Sequence, residues 1–336
     1  MIDTVQLLIP KELVKFKKKF FEVRDNSELL MSFQNISRLS KKTGLYYPRI
    51  SNYKSLYGKS ANLKLEFSAP KLIFQNNLDE CSDDDFNEVI ATLQKRLLEL
   101  SIQIEPKVLS NAKVCNIHYS KNIILANGYT SNYIISELQK IDLRKSLDLA
   151  SVKYMNDGKS LYLHSTTHEF IIYDKVKETK GIQPDSEILR LEVRLLKTRK
   201  IKEVLNKLNL SNTNTFKELF SSKISKVVVN NYWDTLIFSR NKNLFLVEKE
   251  PSDILRLIYI HFPKITLNKA MTLLSVHLLS SNGMRELRAL VEAKVDTRTW
   301  YRLRSDLEDL HKRLSNNMVR DWMQYISSEI KNYKKN

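Results

Sequence analysis

The sequence predicts an α+β protein, a mainly antiparallel sheet through about the first 210 residues followed by an all-helical carboxy-terminal region. Three observations predict it. Short stretches of alternating apolar and polar residues, separated by polar punctuation, recur as far as residue 196. Beyond residue 250 the apolar positions recur instead at the 3.6-residue period of a helix. Hydrophobic residues make up 42% of the 336, with only 6 Gly and 7 Pro, which supports a packed core and argues against a disordered chain. The expected division is therefore 1–210, a connecting segment 211–250, and a helical region 251–336.

Taken in order, VQLLI at 5–9 reads as a strand, and the tyrosine-rich LYYPRISNYKSLY at 45–57 as a strand pair. LKLEFSA at 63–69 puts Leu63, Leu65 and Phe67 on one face and Lys64, Glu66 and Ser68 on the other. After the acidic Asp83 to Asp85, favourable at a helix amino end, residues 86–101 carry a helical apolar stripe of Phe86, Val89, Ile90, Leu93, Leu97 and Leu98. AKVCNIHY at 112–119 is a strand, and 130–141 a short helix capped by Thr130 or Ser131. Strands at 160–164 and 168–176 are close enough for a hairpin. ILRLEVRLL at 188–196 alternates most cleanly, with Leu189, Leu191, Val193 and Leu195 opposite Arg190, Glu192 and Arg194. Helices are expected at 200–208 and 213–222, while 227–238 fits strand or helix start equally. Five more follow at 252–261, 266–280, 284–293, 297–315 and 317–333.

The charge balance narrows the partner. Lys and Arg number 55 against 38 Asp and Glu, a net charge of +17, and polyphosphates are held mainly by neutralised charge. Nucleic acid leads on this ground, with a lysine-rich proteome drifting to high pI as the other account. No apolar run nears the roughly 20 residues of a membrane helix, and MIDTVQLLIP lacks a secretory signal's basic start, so no membrane and a cytoplasmic location are expected. Cys81 and Cys115 lie too far apart for a zinc knuckle. Neither a phosphate-binding glycine loop nor a G-x-S-x-G elbow is present, so ATPase and hydrolase-triad chemistry lack support.

Several polar residues fall at strand positions opposite the apolar face: Glu66, His118, Tyr173 with Lys175, and Glu192 between Arg190 and Arg194. Were these strands neighbours, two carboxylates and an imidazole could hold Mg²⁺ or Mn²⁺. A tyrosine hydroxyl needs such a setting to become a nucleophile, and Lys175 could stabilise charge on the transition state. A plainer reading stands beside this one. A glutamate between arginines is also what a cross-strand ion pair looks like, and His164 with His168, on a hairpin, reads as structural.

Four segments together resemble the gene II and gene X replication proteins of filamentous phages and related plasmids: MIDTVQLLIP at the amino terminus, LKLEFSAPKLIFQNN at 63–77, HEFIIYDKVKE at 168–178 and LRLEVRLLKTRKIK at 189–202. The resemblance covers about the first 210 residues and implies a rolling-circle nicking module. In it the tyrosine attacks an origin phosphodiester, forms a 5′-phosphotyrosine, frees a 3′-hydroxyl primer and later rejoins the strand. It implies Tyr173 as nucleophile, Lys175 as its cationic companion, Glu66 and Glu192 as acidic metal-compatible positions, and Mg²⁺ or Mn²⁺ as cofactor. His118 stands where relatives commonly carry an Asp. Implied partners are origin DNA, single-stranded or supercoiled, with a host helicase and polymerase.

RELRALVEAKVDTRTWYRLRSDLEDL at 285–310 reads as helix, turn, helix, with Thr297 as a cap and Arg298, Arg302 and Arg304 as DNA contacts on the second helix. A plain helical bundle with Trp300, Leu303 and Leu307 in its core reads equally well. A non-catalytic origin-binding initiator or repressor is the rival function.

Overall fold

The structure is a computed structural model that describes residues 1–16, 22–24, 31–33, 36–53, 62–126, 128–141, 160–178, 186–239, 250–313 and 320–333. Eleven strands lie among these residues: β1 (Ile2–Pro10), β2 (Lys15–Phe16), β3 (Glu22–Arg24), β4 (Met31–Phe33), β5 (Arg49–Tyr53), β6 (Asn62–Ser68), β7 (Ile102–Gln103), β8 (Lys113–Ile124), β9 (Ser160–His164), β10 (His168–Asp174) and β11 (Ile188–Leu195). Nine build one sheet in the order β3-β4-β5-β6-β1-β8-β11-β10-β9, and β2 pairs with β7. The pairings of β1 with β6 and β8, and of β11 with β8 and β10, are all antiparallel. The protein is thus α+β with an antiparallel sheet and many helices.

The chain divides into two compact units, one of 1–124, 164–229 and 333–336, the other of 125–163 and 230–332. This differs from the linear division read from the sequence, because 125–163 groups with the carboxy-terminal helices. Hydrogen bonds inside the second unit give the reason: Met284 N donates to Lys140 O at 3.1 Å, and Arg320 reaches Glu137 at 3.0 Å.

In the first unit the alternation read from the sequence becomes a sheet with two different faces. Val5, Leu7, Ile9, Leu63, Leu65, Phe67, Leu189, Leu191 and Val193 are fully buried on one of them. Phe67 meets Phe216 edge-on at 5.7 Å, and Phe216 meets Phe86 at 5.5 Å, so the helices Phe86–Glu99 and Phe216–Leu219 cover that face. The first is entered through a capping box in which Ser82 and Asp85 satisfy each other's backbone. Its Leu98, placed in the apolar stripe by the sequence, is exposed.

The other face carries the polar side chains. Cross-strand register sets Arg194 opposite both His118 and Glu169, Glu192 opposite Ser120 and Ile171, and Arg190 opposite Asn122 and Tyr173. Two stretches depart from the expected pattern. β10 ends at Asp174, whose Oδ1 accepts from Lys177 N at 3.1 Å, so Lys175 opens a short helix, Lys175–Glu178, instead of continuing the strand. Residues 227–238 form helix, Ser222–Tyr232 running into a π-helical turn at Trp233–Phe238, because Val228 and Val229 find a buried helical face. Of the tyrosine-rich 45–57, β5 covers Arg49–Tyr53, 45–48 is not strand, and 54–57 lies outside the described residues.

In the second unit the helices Ser131–Leu138, Pro251–His261, Leu267–Asn282, Met284–Glu292, Thr297–Arg313 and Asp321–Asn332 surround Trp300, Leu307, Leu310 and Trp322. Thr130 caps the first of them, accepting from Tyr133 N at 3.1 Å. Asp296, not Thr297, caps Thr297–Arg313, its Oδ1 accepting from Thr299 N at 2.7 Å. Among the described residues no helix is long and apolar enough to cross a membrane.

Candidate functional site

Glu192 is the centre of the polar face. Its carboxylate, 1% exposed, accepts from the Tyr173 hydroxyl at 3.0 Å and from Arg194 Nε at 2.7 Å. His118 Nδ1 lies 3.1 Å from the same carboxylate and Arg190 Nε 4.0 Å away. Arg194 also reaches Glu169 at 3.4 Å, and Glu169 pairs with His164 Nδ1 at 3.1 Å. A row of alternating acidic and basic side chains therefore runs across β8, β11, β10 and the end of β9.

Burial and these neighbours pull the ionisations apart. Burial pushes the Glu192 carboxyl up, but the His118 hydrogen bond and the charges of Arg194, His118 and Arg190 outweigh it and hold it well below the usual carboxylate range. Tyr173, 9% exposed, is pushed well above the ordinary phenol value by burial, against the pull of Arg190. The resting pair is thus a neutral phenol donating to a carboxylate. Lys175 is buried over the Tyr173 ring, its Nζ 5.7 Å from the centroid, and paired with Glu178. Burial, then Arg190, lowers its pKa.

Arg190, which with Arg194 the sequence offers as a phosphate- or DNA-binding cation, lies in the interior. It is 1% exposed, donating to Asn77 O at 2.7 Å and Ser120 Oγ at 2.8 Å, with Asp3 Oδ2 at 3.4 Å. Arg194, 31% exposed, is the cation that opens to the surface.

Glu66 does not join this group. It stands opposite Gln6, which donates to it at 2.7 Å, and Gln6 stands opposite Asn116. Glu192 stands opposite Ser120 on that same strand. Glu66 is therefore three strands across, about 14 Å, and four residues along, about 13 Å, from Glu192. Glu66, His118 and Glu192 cannot share one ion, and the oxygens of Glu192 are already taken by Tyr173 and Arg194. Among the described residues no group of three or more His, Cys, Asp or Glu side chains is placed to hold a metal. The donor set read from the sequence does not fit Mg²⁺ or Mn²⁺.

His168 is a hairpin residue, its Nδ1 2.8 Å from Ser165 Oγ, and burial followed by the Lys200 charge lowers it to about 4. In the second unit Arg298 and Arg302 are exposed one turn apart on Thr297–Arg313. Arg304, by contrast, is buried and pairs with Glu308 at 3.1 Å. Sequence reasoning missed Asp3, which accepts from Ser68 Oγ at 3.1 Å and faces Arg190. An acid amid the apolar MIDTVQLLI was the available signal.

The chain matches no family model, no curated protein and no solved structure.

The Glu192 linkages set a pH dependence. A carboxyl whose native pKa is depressed contributes stability fully above its unfolded value, about 4.3, and loses it as pH falls through the native value. Glu192→Gln removes the anion that Arg194 and Arg190 share, leaving Arg194 with Glu169 and Arg190 with Asp3, and is expected to cost up to about 3–5 kcal/mol at pH 7 by urea denaturation. The gap between variant and wild type should narrow steadily below pH 4.

Proposed function

We propose that this chain is a replication initiator of the rolling-circle kind, an enzyme that nicks and rejoins one strand of DNA through Tyr173. The observation that carries the reading is the Tyr173 hydroxyl donating at 3.0 Å to a carboxylate held ionised between two arginines. A phosphodiester entering beside Arg194 would draw that guanidinium onto its oxygens and leave Glu192 as the proton acceptor. The Tyr173 oxygen attacks phosphorus and its proton passes to Glu192. The bond from phosphorus to the leaving 3′-oxygen breaks, and that oxygen takes a proton from water. The strand is left with a 3′-hydroxyl and a 5′-phosphotyrosine, and the reverse steps rejoin it. Arg190 and the Lys175 ammonium supply fixed positive charge near the developing anion. The net charge of +17 suits a DNA partner.

The rival, a DNA-binding initiator or repressor without chemistry, has an observation in its favour. Tyr173 is buried and its ionisation is made harder, as befits a phenol that only braces an ion-pair network.

Covalent capture separates them. Wild-type protein incubated with a labelled random-sequence single-stranded DNA pool, in buffer containing Mg²⁺ or Mn²⁺, is expected to yield a denaturant-resistant adduct mapping to Tyr173 by peptide mass spectrometry. Tyr173→Phe should lose the adduct and keep DNA binding; an adduct surviving in that variant assigns the nucleophile elsewhere. For the second unit, replacing Arg298 and Arg302 by Glu should weaken binding and lower the slope of log affinity against log salt by roughly 1.5 to 2, the share of two phosphate contacts. An unchanged slope places the DNA contacts elsewhere.

A further inference from the structure

We infer that Asp3 is a positioning residue of the tyrosine site, holding the Arg190 guanidinium so that its Nε–H is kept as a donor for a phosphoryl oxygen beside Tyr173 and Glu192. The inference rests on the strand-nicking reading and adds to it a residue that the motif did not supply.

Arg190 Nε is a buried nitrogen without a hydrogen-bond partner, 4.0 Å from Glu192 Oε2. An orphaned buried donor costs about 1–3 kcal/mol, and here the other nitrogens of the same group are well engaged. NH1 donates to Asn77 O and NH2 to Ser120 Oγ, with Asp3 facing NH2 at 3.4 Å. A guanidinium fixed at its far end, with a spare N–H beside a phenol and a carboxylate, is a donor set in place before any charge develops.

Asp3 reaches this position through a local irregularity. By simple alternation it belongs with Val5, Leu7 and Ile9 on the apolar face, but the register of β1 against β8 shifts between Ile2 and Val5. The shift lets its carboxylate meet Ser68 Oγ and Arg190. Ser68 in turn caps the helix Ala69–Phe74, and Asn77, just past that helix, supplies the carbonyl for NH1. Asp3 thus joins β1, β6 and the 69–77 segment around one side chain. No hydrogen bond or ion pair links Asp3 to Tyr173 or Glu192 among the described residues; its direct contacts are Arg190 and Ser68, and its charge reaches Tyr173 and Lys175 only as a smaller, longer-range effect.

The test uses full-length protein and Asp3→Asn, which keeps an acceptor for Ser68 but removes the charge facing Arg190. Two readouts are needed. The first is the Arg190 Nε–H resonance, identified by its loss in Arg190→Lys. It is expected to be sharp and slowly exchanging in wild type and broadened in Asp3→Asn. The second is the single-turnover rate of adduct formation with the random-sequence single-stranded DNA pool. It is expected to fall by about a hundredfold, as when one fixed transition-state donor is lost, with half-saturation by DNA changed less than about twofold. That split marks positioning, since a merely structural role would lower affinity and rate together. An equally sharp resonance in the variant, an unchanged rate, or parallel loss of rate, affinity and thermal stability overturns the inference. Should wild type form no adduct while the resonance behaves as expected, the nicking reading falls with Asp3's part in the reaction, and the packing role for Arg190 alone stands.

Discussion

The polar side of the sheet depends on one buried anion. A carboxylate taken out of water costs several kcal/mol unless charges and hydrogen bonds replace its hydration. Glu192 has that replacement from Tyr173, Arg194, His118 and, at longer range, Arg190. Each partner is then fixed in turn: Arg194 by Glu169, Arg190 by Asp3, Ser120 and Asn77, and Tyr173 by its packing under Lys175. The apolar face makes this affordable, because Leu189, Leu191, Val193 and Leu195 anchor β11 in the core and leave Glu192 no way to turn outward.

This arrangement is stable at rest and unreactive at rest. The phenol is neutral and the base is occupied by a guanidinium. Reactivity in the proposed mechanism begins when an incoming phosphate competes for Arg194, the one cation of the group with a third of its side chain in solvent. Stability and proposed activity therefore draw on the same contacts, and a substitution at Glu192 disturbs both.

Much of this was legible in the sequence, and the limits have a physical cause. Period-two alternation assigns a side chain to a face, so Tyr173, Glu192, Arg190, Arg194 and His118 could be placed together on the polar side from ILRLEVRLL, HEFIIYD and NIHY alone. Alternation says nothing of strand order or stagger. Glu66 has the right face and the wrong place, with β1 and β8 between it and Glu192. Lys175 was read along a strand that Asp174 ends by capping a helical turn, a D-x-x signal visible beforehand. Asp3 was hidden by a register shift, which alternation cannot encode. In the helical part, Trp300 and Leu307 were legible as core from their spacing, whereas the burial of Arg304 depends on its ion pair with Glu308 as well as on its place in the turn.

The most direct measurement of the central claim is the ionisation of Glu192 itself. In protein carrying ¹³C at the glutamate carboxyls, with the Glu192 signal identified from Glu192→Gln, the account predicts a carboxylate that stays charged throughout pH 4.5 to 8 and begins to titrate only well below an ordinary glutamate. A Glu192 signal that titrates at or above about 4.3 would contradict it, since no group of cations could then be holding that charge in the interior.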